Sequence, residues 1–111
     1  MALLVAGELL ASACAAVNNA PLTVSLAELT TDEGAYNGHE VATRGTIRHF
    51  EGPDGTGYNT IEDAIPNRVQ LEPASASDPY LGQQVDVIGI FHFDDQHGRT
   101  ISVERISLIP R

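Results

Sequence analysis

Three arginines and one tyrosine are the side chains of this sequence best suited to bind a ligand. Arg44 and Arg48 lie in a stretch where apolar and polar residues alternate, and Tyr58 and Arg68 lie in two shorter stretches of similar character. A guanidinium group can hold an anion through two parallel hydrogen bonds, and an aromatic ring beside it can stack on a base or a sugar. The ligand-binding residues predicted from this pattern are Arg44, Arg48, Tyr58, Thr60, Arg68 and Gln70.

These arginines also have a simpler interpretation as surface ion pairs. If the three stretches are adjacent strands, the carboxylates of Glu40, Glu62 and Glu72 lie within reach of the guanidinium groups across the sheet. Exposed pairs of this kind contribute little to stability. The sequence therefore leaves two interpretations of the arginine cluster open, an anion site or a set of solvated ion pairs.

Histidine and carboxylate residues give weaker indications of chemistry. His92, Asp94 and His97 lie close together, but their spacing is not diagnostic of a metal site, and a solvated hairpin tip is the simpler interpretation. Asp63 with His49 or His92 supplies an acid and a base, but no spacing supports a catalytic triad. We therefore predict a binding protein rather than an enzyme, with no metal site and no cofactor.

Length and composition restrict the chain to one small domain with an acidic surface. The 111 residues are 42% hydrophobic and 19% charged, which is typical of a globular domain. Fifteen acidic residues against six basic ones give a net charge of −9, and all six basic residues are Arg. This charge disfavours general binding of polyanions such as nucleic acid. The single cysteine excludes an internal disulfide bond.

The first 20 residues differ in composition from the rest and are predicted to be a signal or tethering segment. The run Leu9-Leu10-Ala11-Ser12-Ala13-Cys14 resembles a bacterial lipoprotein signal, in which a Cys after small residues is lipidated. The apolar stretch is shorter than the roughly 20 residues of a membrane-spanning helix, and Glu8 interrupts it. The alternative is an amphipathic helix over residues 4–17 that packs on the domain and buries Cys14.

Residues 21–111 are predicted to form one helix and five strands. Ser25 and Glu28 have the spacing of a capping box, which predicts a short helix that ends near Gly34. Alternation predicts strands from residue 40 onward, over 58–61, over 68–72, after Gly82 and over 100–108, with a short helical or irregular linker over 75–81. The predicted core is Val41, Thr43, Ile47, Ile61, Val69, Leu71, Val85, Val87, Phe91, Ile101, Val103 and Ile106.

An internal echo indicates how the strands close. The spacing G-x-x-V-x-x-x-G-x-apolar begins at Gly38 and again at Gly82, and it places Gly45 and Gly89 inside long strands. A glycine within a strand usually marks a bulge or a close backbone approach, which small barrels need where one strand bends between two sheets. The repeat therefore predicts a barrel.

Five strands with a linker between the third and fourth are typical of the OB-fold, the oligonucleotide/oligosaccharide-binding barrel. The residues Tyr58-x-x-Ile61-Glu62-Asp63 and then Val69-Gln70-Leu71 resemble the second and third strands of the anticodon-binding OB domains of aminoacyl-tRNA synthetases. The resemblance implies that Tyr58 is a base-stacking aromatic and that Gln70 is the family's glutamine on the third strand. The whole layout is also similar to small exported bacterial OB-fold proteins of unassigned function. The predicted fold is thus mainly β, a five-stranded OB-fold barrel with a short N-terminal helix.

The predicted function is a non-enzymatic binding module, exported or tethered to a membrane only through a lipid on Cys14. Its ligand is a small anionic or sugar-like molecule, or a protein partner, on the face of the first three strands. One alternative is a cytoplasmic domain that binds single-stranded nucleic acid. Another is a structural domain that docks on an envelope protein, which an exposed apolar patch around Phe50, Tyr58 and Tyr80 would favour.

Overall fold

The computed structural model describes residues 20–110, so the predictions for the leader and for Cys14 lie outside the described residues. The described chain starts with a two-residue strand, β1 (Leu22–Thr23), which pairs in parallel with the strand that follows the helices. The sequence did not predict β1, because two residues are too few to show an alternating pattern.

The first helix begins at the predicted capping box. Helix α1 (Leu26–Thr31) has Ser25 as its N-cap: the Ser25 hydroxyl accepts from the Glu28 amide at 3.1 Å, and Glu28 accepts from the Ser25 amide at 3.2 Å. A separate single turn, α2 (Glu33–Tyr36), follows it. Leu26 and Leu29 are both buried, so α1 packs one apolar face onto the domain.

Five strands form the body of the domain, as predicted. They are β2 (Glu40–Glu51), β3 (Gly57–Glu62), β4 (Arg68–Glu72), β5 (Gln84–Asp94) and β6 (Gly98–Leu108). The linker between β4 and β5 contains one helical turn, α3 (Ala74–Ser77), and a 3-10 turn (Asp78–Tyr80). The predicted short helical linker is therefore present at this position.

The strands close into a ring in the order β2-β3-β4-β6-β5 and back to β2. Strands β4 and β6 are parallel, and the other four pairings of the ring are antiparallel. This is the strand order of the OB-fold, with the helical linker between its third and fourth barrel strands. The predicted fold class is confirmed.

Two glycines allow each of the long strands β2 and β5 to pair with two neighbouring strands. Strand β2 pairs with β5 through residues 40–46 and with β3 through residues 46–51, and Gly45 lies at this change of partner. Gly89 lies at a register shift where β6 carries one additional residue, because Ile88 faces Arg105 and Gly89 faces Val103. Both glycines lie where the backbone approaches a neighbouring strand closely, as the internal echo predicted.

The core is built from the inward side chains of the ring and closed by α1. Its fully or almost fully buried apolar residues are Val24, Leu26, Leu29, Val41, Ile47, Ile61, Val69, Leu71, Val85, Val87, Phe91 and Ile101. Val103 and Ile106 were predicted to be core residues but are only partly buried. The reason is that β6 has β4 beside it only through Ser102 and then has β5 as its one strand neighbour. Over residues 20–110, no helix is long and apolar enough to cross a membrane.

Candidate ligand-binding surface

The outer face of β2, β3 and β4 brings together most of the residues predicted to bind a ligand. We call it the β2–β4 surface and define it by Arg48, Phe50, Tyr58, Arg68 and Gln70, with Thr60 buried at its centre. Arg48 lies opposite Thr60, which lies opposite Gln70, and Phe50 lies opposite Tyr58. Cross-strand neighbours of this kind are about 4.5 to 5.5 Å apart at their Cβ atoms, so these side chains form one continuous surface.

The centre of the β2–β4 surface is an aromatic pair with a guanidinium group against it. The rings of Phe50 and Tyr58 are stacked, with centroids 5.8 Å apart and an angle of 26° between the ring planes. The guanidinium carbon of Arg68 lies 4.8 Å from the centroid of Phe50, within cation–π range. Phe50 was not among the predicted binding residues. The arrangement offers flat apolar rings beside a positive charge, which suits the stacking of a sugar or a base.

Arg68 is held in this position by a carboxylate beneath it. Its Nε donates to Oε2 of Glu62 at 2.9 Å, and the hydroxyl of Thr60 donates to the same oxygen at 3.2 Å. Thr60 is only 4% exposed. Thr60 therefore supports the surface from below through Glu62 and has no exposed side chain to offer a ligand. The ion-pair interpretation made from the sequence holds for Arg68 and Glu62. The pair does not prevent the guanidinium group of Arg68 from lying against the ring of Phe50.

The other two predicted arginines differ in their partners. Arg44 forms a bidentate ion pair with Asp86 on β5: its Nε donates to Oδ1 at 2.9 Å and its Nη2 donates to Oδ2 at 3.2 Å. This partner was not among the three glutamates considered from the sequence, because the register of β2 against β5 places Asp86 directly opposite. Among the described residues, Arg48 has no carboxylate within 4.0 Å. Both arginines line a shallow depression of about 380 Å³ beside the β2–β4 surface.

The apolar residues of the surface do not form an exposed hydrophobic patch. Phe50 and Tyr58 are half-buried, and Tyr80 packs against the core. In residues 20–110, the exposed large apolar side chains are Leu22, Ile65, Leu81 and Leu108, and none of them belongs to the β2–β4 surface. The patch that would favour docking to an envelope protein is therefore absent from this part of the chain.

A buried hydrogen-bond network underneath the surface was not predicted from the sequence. Asn59 is fully buried, and its amide nitrogen has three acceptors within hydrogen-bond distance for its two N–H groups: the Ala74 carbonyl at 3.2 Å, the Ser77 hydroxyl at 2.9 Å and Oδ1 of Asp78 at 2.8 Å. Its amide oxygen lies 2.7 Å from Nδ1 of His49. Asn59 thus ties β2 and β3 to the helical linker that closes this end of the barrel.

The same network places hydrogen-bond acceptors against both ring nitrogens of His49. Because the Asn59 amide nitrogen faces three acceptors, its oxygen must face His49, and Nδ1 of His49 is the donor. Nε2 of His49 lies 2.8 Å from a carboxylate oxygen of Glu51 and donates to it as well. This arrangement favours the imidazolium form, in which both ring nitrogens are donors. Hydrogen bonds to Asn59 and then to Glu51 raise the pKa of His49 above its usual value of 6.5.

Asp94, His97 and Asp63, three of the other candidates, have local structural partners. Asp94 accepts from the backbone amides of Gln96 and His97 at 2.8 and 2.6 Å, which shapes the β5–β6 hairpin tip. These bonds, with that from His97 first, lower the pKa of Asp94. Asp63 accepts from the amides of residues 65 and 67 and pairs with neither histidine considered for catalysis. In the described range 20–110, no cluster of three metal-binding side chains occurs.

Comparisons with known proteins add one solved structure to this description. No protein-family model matches the chain, and no curated protein matches it. The chain is similar to the second OB-fold domain of replication protein A from Methanococcus maripaludis, with 18% sequence identity and a TM-score of 0.42. The similarity covers 68% of this chain and 88% of that domain. The assignment of this chain to the OB-fold rests on its own strand order and closed ring of pairings.

Proposed function

We propose that this protein is a non-enzymatic binding module whose β2–β4 surface takes a small anionic ligand that contains a sugar-like or base-like ring. The single observation that carries the proposal is the stacked Phe50–Tyr58 pair with the Arg68 guanidinium against it. The rings supply a flat apolar contact for the ligand's ring. Arg48, which has no carboxylate partner among the described residues, supplies the positive charge for the anionic group.

The acidic character of the chain favours a small anion over a long one. The net charge of −9 repels any polyanion at a distance, whereas a ligand with one anionic group needs only a local cation. Two of the three arginines near the surface are already paired, Arg44 with Asp86 and Arg68 with Glu62. Arg48, the one of these three without a carboxylate partner among residues 20–110, matches one phosphate or carboxylate better than it matches a row of phosphates.

Thymidine monophosphate is a suitable probe because it combines a base, a sugar and one phosphate. We expect it to shift the amide NMR signals of β2, β3 and β4, and we expect Tyr58→Leu to weaken binding by about 1 to 3 kcal/mol through lost stacking. Arg48→Gln should weaken binding about fivefold or more, whereas Arg105→Gln, a change on β6 outside this surface, should leave it unchanged. Equal losses in the Arg48 and Arg105 variants would show that only net charge matters and would contradict the proposal.

Single-stranded nucleic acid is the second candidate ligand, and the presence of two stacked aromatic residues in one row favours it. A labelled 12-nucleotide thymidine oligomer tests it, because each phosphate contacted lowers the logarithm of the affinity by roughly 0.7 per decade of salt. We expect dissociation constants above roughly 10 micromolar at physiological salt, in the range of non-specific binding. Nanomolar affinity, with a salt dependence that corresponds to several phosphate contacts, would make nucleic acid the leading ligand.

We further propose that the domain works outside the cytoplasm, anchored by a lipid on Cys14. The support is the lipoprotein-like run that ends at this residue. Cys14→Ser should move the chain from the membrane fraction to the soluble fraction of its native cell, because acyl chains and not a spanning helix would hold it. The mass of the mature N-terminus should show the lipid in the wild type alone. Unchanged fractionation of the variant would overturn this proposal.

A further inference from the structure

Strand β6 has an open edge in its C-terminal half. On the side away from β5, β6 pairs with β4 only as far as Ser102. Among residues 20–110, the backbone hydrogen bonds of residues 105–109 go to β5 alone. An edge of this kind presents a row of backbone donors and acceptors to which a further strand can pair.

The ladder between β5 and β6 shows which backbone groups point to the open edge. The Ile109 amide donates to the Gln84 carbonyl at 3.2 Å, so Ile109 directs its backbone groups toward β5. In an antiparallel ladder, every second residue of a strand directs both its N–H and its C=O to the same neighbouring strand. Ile106 and Leu108 occupy the alternate positions and direct theirs away from β5. The open edge therefore offers two donors and two acceptors from these two residues.

The side chains of the same two residues are incompletely covered. Ile106 and Leu108 lie opposite Val87 and Val85, so their side chains belong to the inner face of the sheet. Val85 and Val87 are fully buried, whereas Ile106 is only partly buried and Leu108 is 56% exposed. A strand added at the open edge would place its own apolar side chains beside Ile106 and Leu108 and would remove both from water.

Two features limit the segment that can pair in this way to residues 105–109, which we call the edge segment. Glu104 is the additional residue of the bulge and interrupts regular pairing before the segment. Pro110 follows the segment and has no backbone N–H to donate. The segment is therefore five residues long, and its central residue is Ser107.

We propose that the edge segment pairs with the edge segment of a second copy of this chain, antiparallel and centred on Ser107. In this register Ile106 lies opposite Leu108 of the other copy, and the twofold symmetry repeats the pair. All four free backbone donors of the two edges then meet acceptors, and the apolar side chains cover each other. Arg105 lies opposite Ile109 of the other copy, where the methylene groups of the arginine cover the isoleucine.

The sequence of the edge segment favours this register over its neighbours. Centring the pair on Arg105 places two like charges opposite each other. Centring it on Leu108 places Ile106 opposite Pro110, which cannot donate. Centring it on Ile106 places Leu108 opposite Glu104, a charged residue of the bulge. The proposed register avoids all three conflicts, so the segment is complementary to itself, which favours a second copy over an unrelated peptide.

Sedimentation equilibrium of the full chain tests the dimer. A contact between two five-residue segments is short and therefore weak, so the measurement extends to about 1 mM protein. Each copy carries a net charge of −9, and the proposed contact contains no pair of opposite charges to offset the repulsion. The dimer fraction should therefore be higher in about 0.5 M than in about 0.05 M sodium chloride, because salt screens the repulsion. A chain that stays monomeric, or a dimer that salt dissociates, would overturn the proposal.

A disulfide cross-link tests the register. In the proposed dimer, Ser107 faces its own copy as a non-hydrogen-bonded pair with Cα atoms about 4.5 Å apart, which is within the range that a disulfide bridges. Ser107→Cys, in a Cys14→Ser chain that has no other thiol, should therefore form a covalent dimer on oxidation. Arg105→Cys is the matched control, because its two copies would lie about 13 Å apart along the strands. Equal rates of cross-linking for the two variants would contradict the register.

Two further changes test the contact without altering the ladder inside the barrel. Leu108→Pro removes an N–H that points away from β5, so the chain should fold, as circular dichroism checks, but should be monomeric. Ser107→Arg places two like charges at the symmetry axis and should also give a monomer. A mixture of Ser107→Arg with Ser107→Glu should restore dimerisation between the two variants. If the folded Leu108→Pro and Ser107→Arg chains dimerise as the wild type does, the edge segment is not the interface.

The ligand experiment on the β2–β4 surface is independent of these results. The edge segment shares no residue with that surface, so monomeric Leu108→Pro should bind thymidine monophosphate as the wild type does. Loss of the dimer with unchanged binding of the nucleotide supports the interface. A wild-type chain that binds the nucleotide but does not dimerise overturns the interface and leaves the proposed function in place.

Discussion

Gly89→Val is expected to lower the free energy of unfolding by about 3 kcal/mol or more. A Cβ atom at this position would overlap the backbone oxygen of Ser102 and lie 2.7 Å from Cγ2 of Ile101. The overlap is with backbone of the paired strand β6, which cannot move without breaking the ladder at the bulge. Gly45→Val should have a similar effect, because its Cβ would lie 2.7 Å from the Glu62 carbonyl oxygen.

Gly34→Val is the matched control for these two variants. Apart from its chain neighbours and the backbone of its own helix, no described atom lies within 4 Å of the Cβ position at Gly34, which is in the short helix α2. Urea unfolding followed by far-UV circular dichroism measures all three proteins. We expect Gly34→Val to unfold within about 0.5 kcal/mol of the wild type, since valine is no worse than glycine in a helix. Unfolding midpoints for Gly45→Val and Gly89→Val equal to that of the control would contradict the role assigned to both glycines.

The barrel could be predicted because its strands are half-buried. Alternation along β2 separates Val41, Thr43 and Ile47 from Arg44 and Arg48, and the structure buries the first three residues and leaves the two arginines exposed. Such a pattern needs no knowledge of distant contacts. The same holds for Ser25, since a capping box is complete within four residues.

The partners of the site residues could not be predicted, because they depend on register between distant strands. Asp86 faces Arg44 across 42 residues of sequence, and only the pairing of β2 with β5 brings them together. The direct cross-strand neighbour of Arg68 is Glu62, but its guanidinium group extends diagonally across the sheet to the ring of Phe50. Thr60 lies beneath this contact and is buried. Alternation assigns these side chains to a face, but it does not indicate which of them covers another.

Asn59 shows a signal that was present in the sequence but was not used. It precedes the inward residue Ile61 by two positions and so must point into the barrel, as its register opposite His49 confirms. A polar side chain at an inward position of a strand requires hydrogen-bond partners. The partners on the helical linker, Ser77 and Asp78, could be identified only from the structure.

Asn59→Ala is expected to destabilise the domain by about 3 kcal/mol. The change removes four hydrogen-bonded contacts and leaves the Ser77 hydroxyl, which is fully buried, without its donor from β3. Thr43→Val is the informative comparison, because Thr43 is also a buried polar residue of the barrel but has no partner. Urea unfolding should therefore show a large loss for Asn59→Ala and no loss for Thr43→Val. Similar losses for the two variants would mean that the Asn59 network does not stabilise the fold.

The pH dependence of unfolding distinguishes loss of this network from simple loss of packing. The hydrogen bond to Asn59 is the main cause of the raised pKa of His49, followed by the bond to Glu51, and Asp78 adds a favourable charge. A histidine with a raised pKa stabilises the fold below its unfolded pKa of about 6.5, and this contribution is lost as the pH rises through the folded pKa.

The wild type should accordingly lose stability, relative to His49→Gln at each pH, over the range from the unfolded pKa of about 6.5 upward through the raised folded pKa. Because the other three histidines are present in both proteins, the difference between them isolates His49. When Asn59→Ala is compared with the Asn59→Ala/His49→Gln double variant, the loss of stability should be smaller and should be complete at a lower pH. The reason is that the main cause of the raised pKa of His49 has been removed. Urea unfolding midpoints of the four proteins, measured across this range of pH, test the expectation. If the wild type and Asn59→Ala have the same pH profile relative to their His49→Gln counterparts, Asn59 does not hold the proton on His49.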